Sequence, residues 1–202
     1  MKHASTRTLF DYWNRRRGRR RALARSDIDP GDIRSVLGDT FLLAADFVDE
    51  IRFRLAGTRI CALFARELKG DAFNSLWNEA SREHIGTLLH SVVHENEVIV
   101  AGAFGRTEDD DGIDLELLVL PLVSDGRNRV RALGVLVPLM PAHSLEDRPL
   151  IELDLRTFRH IGAEQLLNAG PRFGQPHEQP RARHGFLVYS GGLDLQPDKR
   201  PS

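Results

Sequence analysis

Two histidines in the middle of the chain have a spacing that could hold a metal ion. His90 and His94 stand four residues apart, so a helix would place both imidazoles on one side. The zinc-protease motif needs a glutamate directly after the first histidine, and Ser91 occupies that position. The two histidines also lie opposite the apolar stripe of their helix, and the sequence identifies no third ligand. We therefore interpret them as part of a solvated helix face and predict no metal site.

An acidic stretch, 108–114, has the composition of a calcium-binding loop. Matching Gly112 to the invariant glycine of such a loop puts Thr107 at the first ligand position and Leu118 where a bidentate acid belongs. Both anchor positions fail, so we do not expect calcium binding. The Asp-Gly pair is typical of a tight hairpin, and we predict a charged turn between two strands.

The single cysteine is the strongest candidate for a reactive side chain. Cys61 lies near the start of a predicted helix, where a helix dipole can activate a thiol. It could instead be a small core residue, which is the commoner environment of a free cysteine. The sequence contains no nucleophile elbow, no phosphate-binding loop and no Cys-x-x-Cys pair. We therefore predict no catalytic residues and no enzymatic activity.

A run of arginines near the N-terminus is the strongest local charge. It consists of Arg15, Arg16, Arg17, Arg19, Arg20 and Arg21, with Arg25 nearby. Such a cluster could bind nucleic-acid phosphates, an acidic partner or a phosphorylated ligand, or it could be a solvated face. The net charge of the whole chain is only -1, and no base-reading motif is present, so we do not expect specific nucleic-acid binding. A nucleic-acid-associated regulator that uses this tract is the alternative function.

The elements that would position these residues begin with a strand that turns directly into a helix. Apolar residues alternate along 51–55, as in a strand with one buried face, and recur at helical spacing along 60–64. Gly57 stands at the corner, where the absence of a Cβ eases the turn, and Thr58 could cap the helix. The run 41–46 predicts another strand before this one.

The remaining pattern predicts one long helix, three strands and a tail. Apolar residues fit an amphipathic helix over 79–96. Three strand-like runs follow, separated by Asp-Gly turns that favour an antiparallel meander: Val98 to Arg106, Ile113 to Val123 and Val130 to Met140. The segment 150–161 is amphipathic and fits either a helix or a strand. Residues 171–202 are rich in Pro, Gly, Arg and His, which predicts disorder or weak docking.

Length and composition indicate one domain with extensions. The chain has 202 residues, which is enough for one sizeable core. Leu9, Phe10 and Trp13 predict a short N-terminal helix. We divide the chain into an N-terminal helical extension with the basic tract (1–37), a central domain (38–162) and a flexible C-terminal tail (163–202). The lone cysteine excludes an internal disulfide, and no signal-peptide core or membrane span is seen, so we expect a cytoplasmic protein.

The order of these elements resembles a PAS domain. The resemblance is closest to a short, stand-alone PAS-like subfamily found mainly in alphaproteobacteria. Its motifs are Tyr12-Trp13, the basic stretch with Gly18, 25–30 (RSDIDP), 53–58 (FRLAGT), Leu63-Phe64, 67–70 (ELKG), Trp77 and 120–122 (LPL). The resemblance implies an α+β fold with a five-stranded antiparallel sheet, a helical crossover covering one face and an N-terminal helical extension.

The resemblance also implies a sensory or regulatory protein that binds a small molecule or docks a signalling partner, without catalysis. It carries no cofactor motif, so the cofactor stays unknown. The pocket would be lined by Leu55, Ile60, Cys61, Leu63, Phe64, Phe73, Trp77, Leu89 and Phe104. The aromatic residues among them could form a ligand cage or plain core. PAS-like domains often pair through an N-terminal helix packed against the outer sheet face, which implies a homodimer through that helix and face. Trp13 and the arginines of the tract are then partner-binding residues.

Overall fold

A computed structural model describes residues 1–45, 50–109, 111–123, 130–140 and 148–161, and the backbone of 181–183 and 186–188. Within these residues the α-helices are α1 (Ala4–Arg17), α2 (Thr58–Leu63) and α3 (Glu79–His90). The strands are β1 (Leu23–Ala24), β2 (Thr40–Ala45), β3 (Ile51–Ala56), β4 (Val98–Arg106), β5 (Gly112–Val123), β6 (Val130–Pro138), β7 (Glu152–Ile161), β8 (Arg181–Arg183) and β9 (Phe186–Val188). No helix in this part of the chain is long and apolar enough to cross a membrane.

The main sheet has seven strands, so the predicted α+β class is confirmed and the predicted count of five is wrong. Its order is β3-β2-β6-β5-β4-β7, with antiparallel neighbours, and β1 pairs in parallel with the end of β5. The segment 150–161, for which the sequence fits either a helix or a strand, contains strand β7. It pairs with the full length of β4, whose edge would otherwise expose unpaired backbone groups.

The C-terminal tail predicted over 163–202 lies mostly outside the described residues. Its described backbone consists of β8 and β9, which pair with each other as a separate antiparallel hairpin. The predicted turn at Asp125-Gly126 also falls outside the described residues.

The corner between β3 and α2 depends on Gly57 for a reason that the local sequence does not reveal. Gly57 has an ordinary φ of -70°, and α2 has no side-chain cap, so Thr58 is simply the first helical residue. A Cβ on Gly57 would lie 2.3 Å from the carbonyl oxygen of Gly38 and 2.4 Å from that of Leu37. Glycine is required because another segment of backbone packs directly against this position.

The long helix over 79–96 is confirmed, with an altered last turn. Asn78 caps α3 by accepting a hydrogen bond from the backbone N–H of Ser81 at 2.9 Å. After His90 the helix widens into a π-helical turn, Ser91–Glu95, and ends at Asn96 in the left-handed conformation (φ 58°).

Both faces of the sheet carry a buried apolar core. The inner core joins α2, α3 and the segment between them to one face. The outer core joins α1 and residues 23–36 to the opposite face. Strand β5 serves both cores: Leu115 and Leu117 face inward, whereas Leu118 and Leu120 face outward. The continuous apolar run in β5 therefore reflects burial on two sides.

Candidate functional site on the two faces of the sheet

The inner face of the sheet is filled by its own side chains. Phe41, Phe53, Phe73 and Trp77 pack together, with neighbouring ring centroids 5.4 to 6.1 Å apart. Beside them, a cavity between α3 and strands β4 and β5 has a volume of about 10 Å³. That is room for no more than one water molecule. Around this cavity, the described residues of the inner face form a closely packed core.

The outer face is covered in part by α1. Trp13 is fully buried, and its Nε1 donates a hydrogen bond to the carbonyl oxygen of Pro121 in β5 at 3.1 Å. The hydroxyl of Tyr12 accepts a hydrogen bond from the backbone N–H of Asp29 at 2.8 Å. The Arg17 guanidinium lies over the indole of Trp13, 5.0 Å from the ring centroid. These contacts make α1 an integral layer of the fold.

A buried carboxylate holds the beginning of the chain on this face. Glu116 of β5 is buried and accepts hydrogen bonds from the backbone N–H groups of Lys2 and His3. Burial alone would raise the pKa of Glu116, but these donors outweigh it and hold the pKa below its usual 4.5. The ionised carboxylate also lies close to the N-terminus of α1, where the helix dipole favours negative charge.

A second buried carboxylate links the two helical layers. Asp39 accepts a hydrogen bond from the hydroxyl of Ser5 in α1 at 2.8 Å. It also accepts hydrogen bonds from Nε and Nη2 of Arg59 in α2, at 2.5 and 2.8 Å. The hydrogen bond to Asp39 raises the pKa of Arg59. Through Asp39, the helix on the outer face is connected to the helix that covers the inner core.

Part of the outer face is left uncovered next to these anchors. A groove of about 370 Å³ lies between residues 25–38 and strands β2, β3 and β6. Its wall includes Ile28, Ile33 and Leu37, and its floor includes Leu42, Leu55 and Leu133. The volume is within the usual range of small-molecule sites, and the described lining is mostly aliphatic.

Residues 1–137 match the PAS domain family. The chain belongs to that family. The matched region includes α1 and both faces of the sheet, whereas β7 lies beyond it. Comparison of the PAS protein with curated proteins gives no match.

The PAS fold is also similar to solved structures. One is a light-oxygen-voltage domain studied with a flavin analogue (12% identity, 58% of this chain and 91% of that chain, TM-score 0.43). Another is a PAS domain from Colwellia psychrerythraea (18% identity, 55% and 97%, TM-score 0.38). A third is the light-oxygen-voltage protein of Rhodobacter sphaeroides (12% identity, 59% and 73%, TM-score 0.42).

Most of the residues predicted to line a pocket in the PAS domain meet in the inner core. They are Ile60, Leu63, Phe64, Phe73, Trp77 and Leu89. Cys61 is half-buried at the edge of that core. Leu55 and Phe104 are not brought together with them.

Leu55 lies on the outer face because of a β-bulge. Strict alternation along β3 would place Leu55 on the same face as Phe53. The pairing with β2 shifts by one residue, with Leu42 opposite Leu55 and Leu43 opposite Phe53, so Arg54 is the extra residue. The shift turns Leu55 into the groove, where 45% of its surface is exposed.

Phe104 lies on the opposite face of β4 from Ala103, which belongs to the inner core. Its ring is flanked by two guanidinium groups, with Cζ of Arg156 at 5.4 Å and Cζ of Arg106 at 5.8 Å from the centroid. The ring therefore makes cation–π contacts outside the inner core.

The arginine tract is divided between structural and exposed side chains. Arg17 is buried, and its Nε and Nη2 donate to Oδ1 of Asn14 at 2.9 and 2.6 Å. Arg20 pairs with the carboxylate of Asp27 at 2.7 Å, and Arg16 donates to the carbonyl oxygen of Asp27 at 3.1 Å. The other members of the tract, Arg15, Arg19 and Arg21, are exposed. The tract therefore stabilises the turn after α1 as well as presenting positive charge.

The histidines and the acidic stretch lie at the periphery of the fold. His90 and His94 are exposed, and their rings stack 4.3 Å apart. Within the described residues, no three His, Cys, Asp or Glu side chains are grouped as metal ligands. The predicted hairpin between β4 and β5 is confirmed, and Thr107 and Asp111 close it through a 2.8 Å backbone hydrogen bond.

Sequence reasoning missed the anchoring residues Glu116, Asp39 and Arg59. Only Glu116 had a local signal: it is an acid on the same face of β5 as Leu118 and Leu120, within an apolar run. The role of Asp39 depends on Ser5 and Arg59, which approach it from distant parts of the chain.

Proposed function

We propose that this PAS protein is a cytoplasmic regulator that works by binding, without catalysis of its own, a small molecule or a signalling partner. Its motif set supports a place in the short, stand-alone subfamily that the sequence resembles. The three-part division at residues 37 and 162 is part of the same proposal.

The observation that carries the proposal is the contrast in size between the inner cavity and the outer groove. The inner cavity measures about 10 Å³ and the groove about 370 Å³. Recognition on the outer face would need no rearrangement of the packed aromatic core, whereas a ligand inside would have to displace it. We therefore propose that the recognition site is the groove on the outer face.

The anchors of α1 supply a route from binding to response. A ligand can shift a conformational equilibrium only by binding one state better than another. The Ser5–Asp39–Arg59 connection lies next to the groove, because Leu37 and Gly38, which line it, immediately precede Asp39. A bound molecule that moved this segment would change how α1 is held, and α1 would present the change to a partner.

The proposal includes a homodimer, but its contact surface would differ from the Trp13 face that the sequence suggests. Trp13 is fully buried within its own chain, so it is not available to a second copy in this conformation. A second copy would instead meet the exposed surface of α1 and the arginines Arg15, Arg19 and Arg21.

The proposed function is tested by native mass spectrometry of the full chain purified without denaturation, together with light scattering. We expect either a co-purifying small molecule or a stable complex with a second copy or another protein. A bare monomer that also binds no small molecule in a metabolite screen and captures no partner would contradict the proposal.

A further inference from the structure

The outer groove has a floor built by a specific distortion of the sheet. Leu42 pairs with Leu55 on one side and with Leu133 on the other, so three leucines lie side by side across β3, β2 and β6. Leu55 joins this row only because of the bulge at Arg54. The exposed fraction is 45% for Leu55 and 37% for Leu37 on the opposite wall. The groove thus presents aliphatic surface from both sides.

One positive charge lines this aliphatic groove. Arg25 is half-buried there, and its side chain makes no hydrogen bond or ion pair with another described residue. Of the nearby acids, Asp39 is engaged with Arg59 and Ser5, Asp27 pairs with Arg20, and Asp29 accepts a hydrogen bond from the backbone N–H of Gly31. An anionic group in the groove would therefore find a guanidinium available for a charge-assisted hydrogen bond.

The backbone of β2, in the middle of the groove floor, argues against an extended peptide lying across that floor. Strand β2 lies between β3 and β6 and is paired with both, so its backbone groups are already used. The floor offers side chains, and a peptide lying on it would bury amide groups without partners. An aliphatic chain has no such groups to satisfy.

We propose that this groove binds a small amphipathic carboxylate, with its chain on Leu42, Leu55 and Leu133 and its carboxylate on Arg25. The volume of about 370 Å³ is within the usual size range of small-molecule sites, and a ten-carbon fatty acid is a suitable probe of this class. This inference rests on the proposed function and names the chemistry of the molecule that the regulator would sense.

The test uses decanoate as the probe and decanol as its uncharged counterpart. Calorimetric titration of the full chain is combined with NMR spectra of labelled leucine methyl groups. We expect saturable decanoate binding with Kd on the order of 100 µM, and shifts confined to the leucines of the groove. Leu55→Gln should lower the affinity for both ligands about tenfold, because it replaces an aliphatic contact with an amide.

The charge is tested separately by Arg25→Gln. This variant should lower the affinity for decanoate about tenfold and leave the affinity for decanol unchanged, because only the carboxylate contacts the guanidinium. Arg34→Gln and Ile151→Gln are the matched controls: both residues are exposed and neither lines the groove, so binding should stay as in the wild type. Circular dichroism checks that all variants are folded.

Three results would overturn the inference. The first is the absence of saturable decanoate binding up to about 1 mM, and the second is an equal loss of affinity in the control variants. The third is self-association that Leu55→Gln abolishes, because it would assign the groove to a second copy of the chain. A different molecule found on the natively purified protein would reject the carboxylate and still uphold the regulator, so the two proposals fail separately.

Discussion

The two faces of the sheet are buried by different means. The inner face is closed by side chains that interlock around Phe73 and Trp77, and this core leaves about 10 Å³ beside them. The outer face is covered by α1, which combines apolar packing with polar anchors at Glu116, Asp39 and Pro121. Close packing tolerates little change, whereas a layer held by a few polar contacts can be released. The difference predicts that α1 opens more readily than the packed inner core.

The largest expected effect is in the inner core. Trp77→Ala should destabilise the protein by about 3 to 5 kcal/mol, measured by denaturant unfolding, because it leaves a large cavity. Trp77→Phe should cost less than about 1.5 kcal/mol, since the buried Nε1 makes no hydrogen bond with the described residues. Similar stability of Trp77→Ala and the wild type would show that the ring lines open space, and the contrast between the faces would fail.

Trp13 tests the same substitution on the outer face. Trp13→Ala should cost about 3 kcal/mol, through lost packing and the lost hydrogen bond to Pro121, and hydrogen exchange should show α1 opening before the sheet. Light scattering should give the same molar mass as for the wild type. A lower mass at unchanged stability would place Trp13 in a subunit interface, as the sequence alone suggests.

Arg17 separates the structural part of the basic tract from the exposed part. Arg17→Ala should cost about 2 kcal/mol, because it removes the cover of Trp13 and the hydrogen bonds to Asn14. Arg19→Ala is the matched control and should stay within about 0.5 kcal/mol, since Arg19 is exposed. Equal effects in thermal unfolding would remove the distinction.

The smallest expected effect comes from the anchor at Glu116. Its pKa is lowered in the fold, so the ionised carboxylate contributes stability above its usual pKa of 4.5 and loses it as the pH falls through the folded value. Glu116→Gln should therefore be less stable than the wild type by about 1 to 2 kcal/mol at pH 7. The difference should shrink in acid, and a difference independent of pH would assign the effect to packing.

Repeating local patterns account for much of what could be predicted of the fold. The helical spacing of Ile85, Leu88 and Leu89 predicts α3, and the strand bounds of β4 agree with its apolar run. The residues placed in the inner core were found by the same periodicity. Leu55 was wrongly expected on the inner face, because the bulge inserts one residue and the alternation of apolar residues in the sequence does not reveal it.

The burial of Trp13 within its own chain could not be predicted for a related reason. Leu9 and Trp13 show an apolar helix face, which the sequence can identify, but a second copy and the chain's own sheet would satisfy that face equally well. In the structure, the apolar face of α1 packs against β5 of the same chain. The choice depends on how α1 is tethered by Glu116, more than one hundred residues away along the chain.

The sequence by itself determined the α+β class, helix α3 and the strand runs of β2 to β6, because these follow from periods of two and 3.6 residues that neighbours in the chain share. Only the tertiary structure decided the register shift at Arg54, the need for Gly57 beside Gly38, the burial of Trp13 and the groove around Arg25. Each of these depends on segments that are distant in sequence and meet only in the folded chain. The Gly57 corner therefore begins a helix on the inner face and also lines the groove on the outer one.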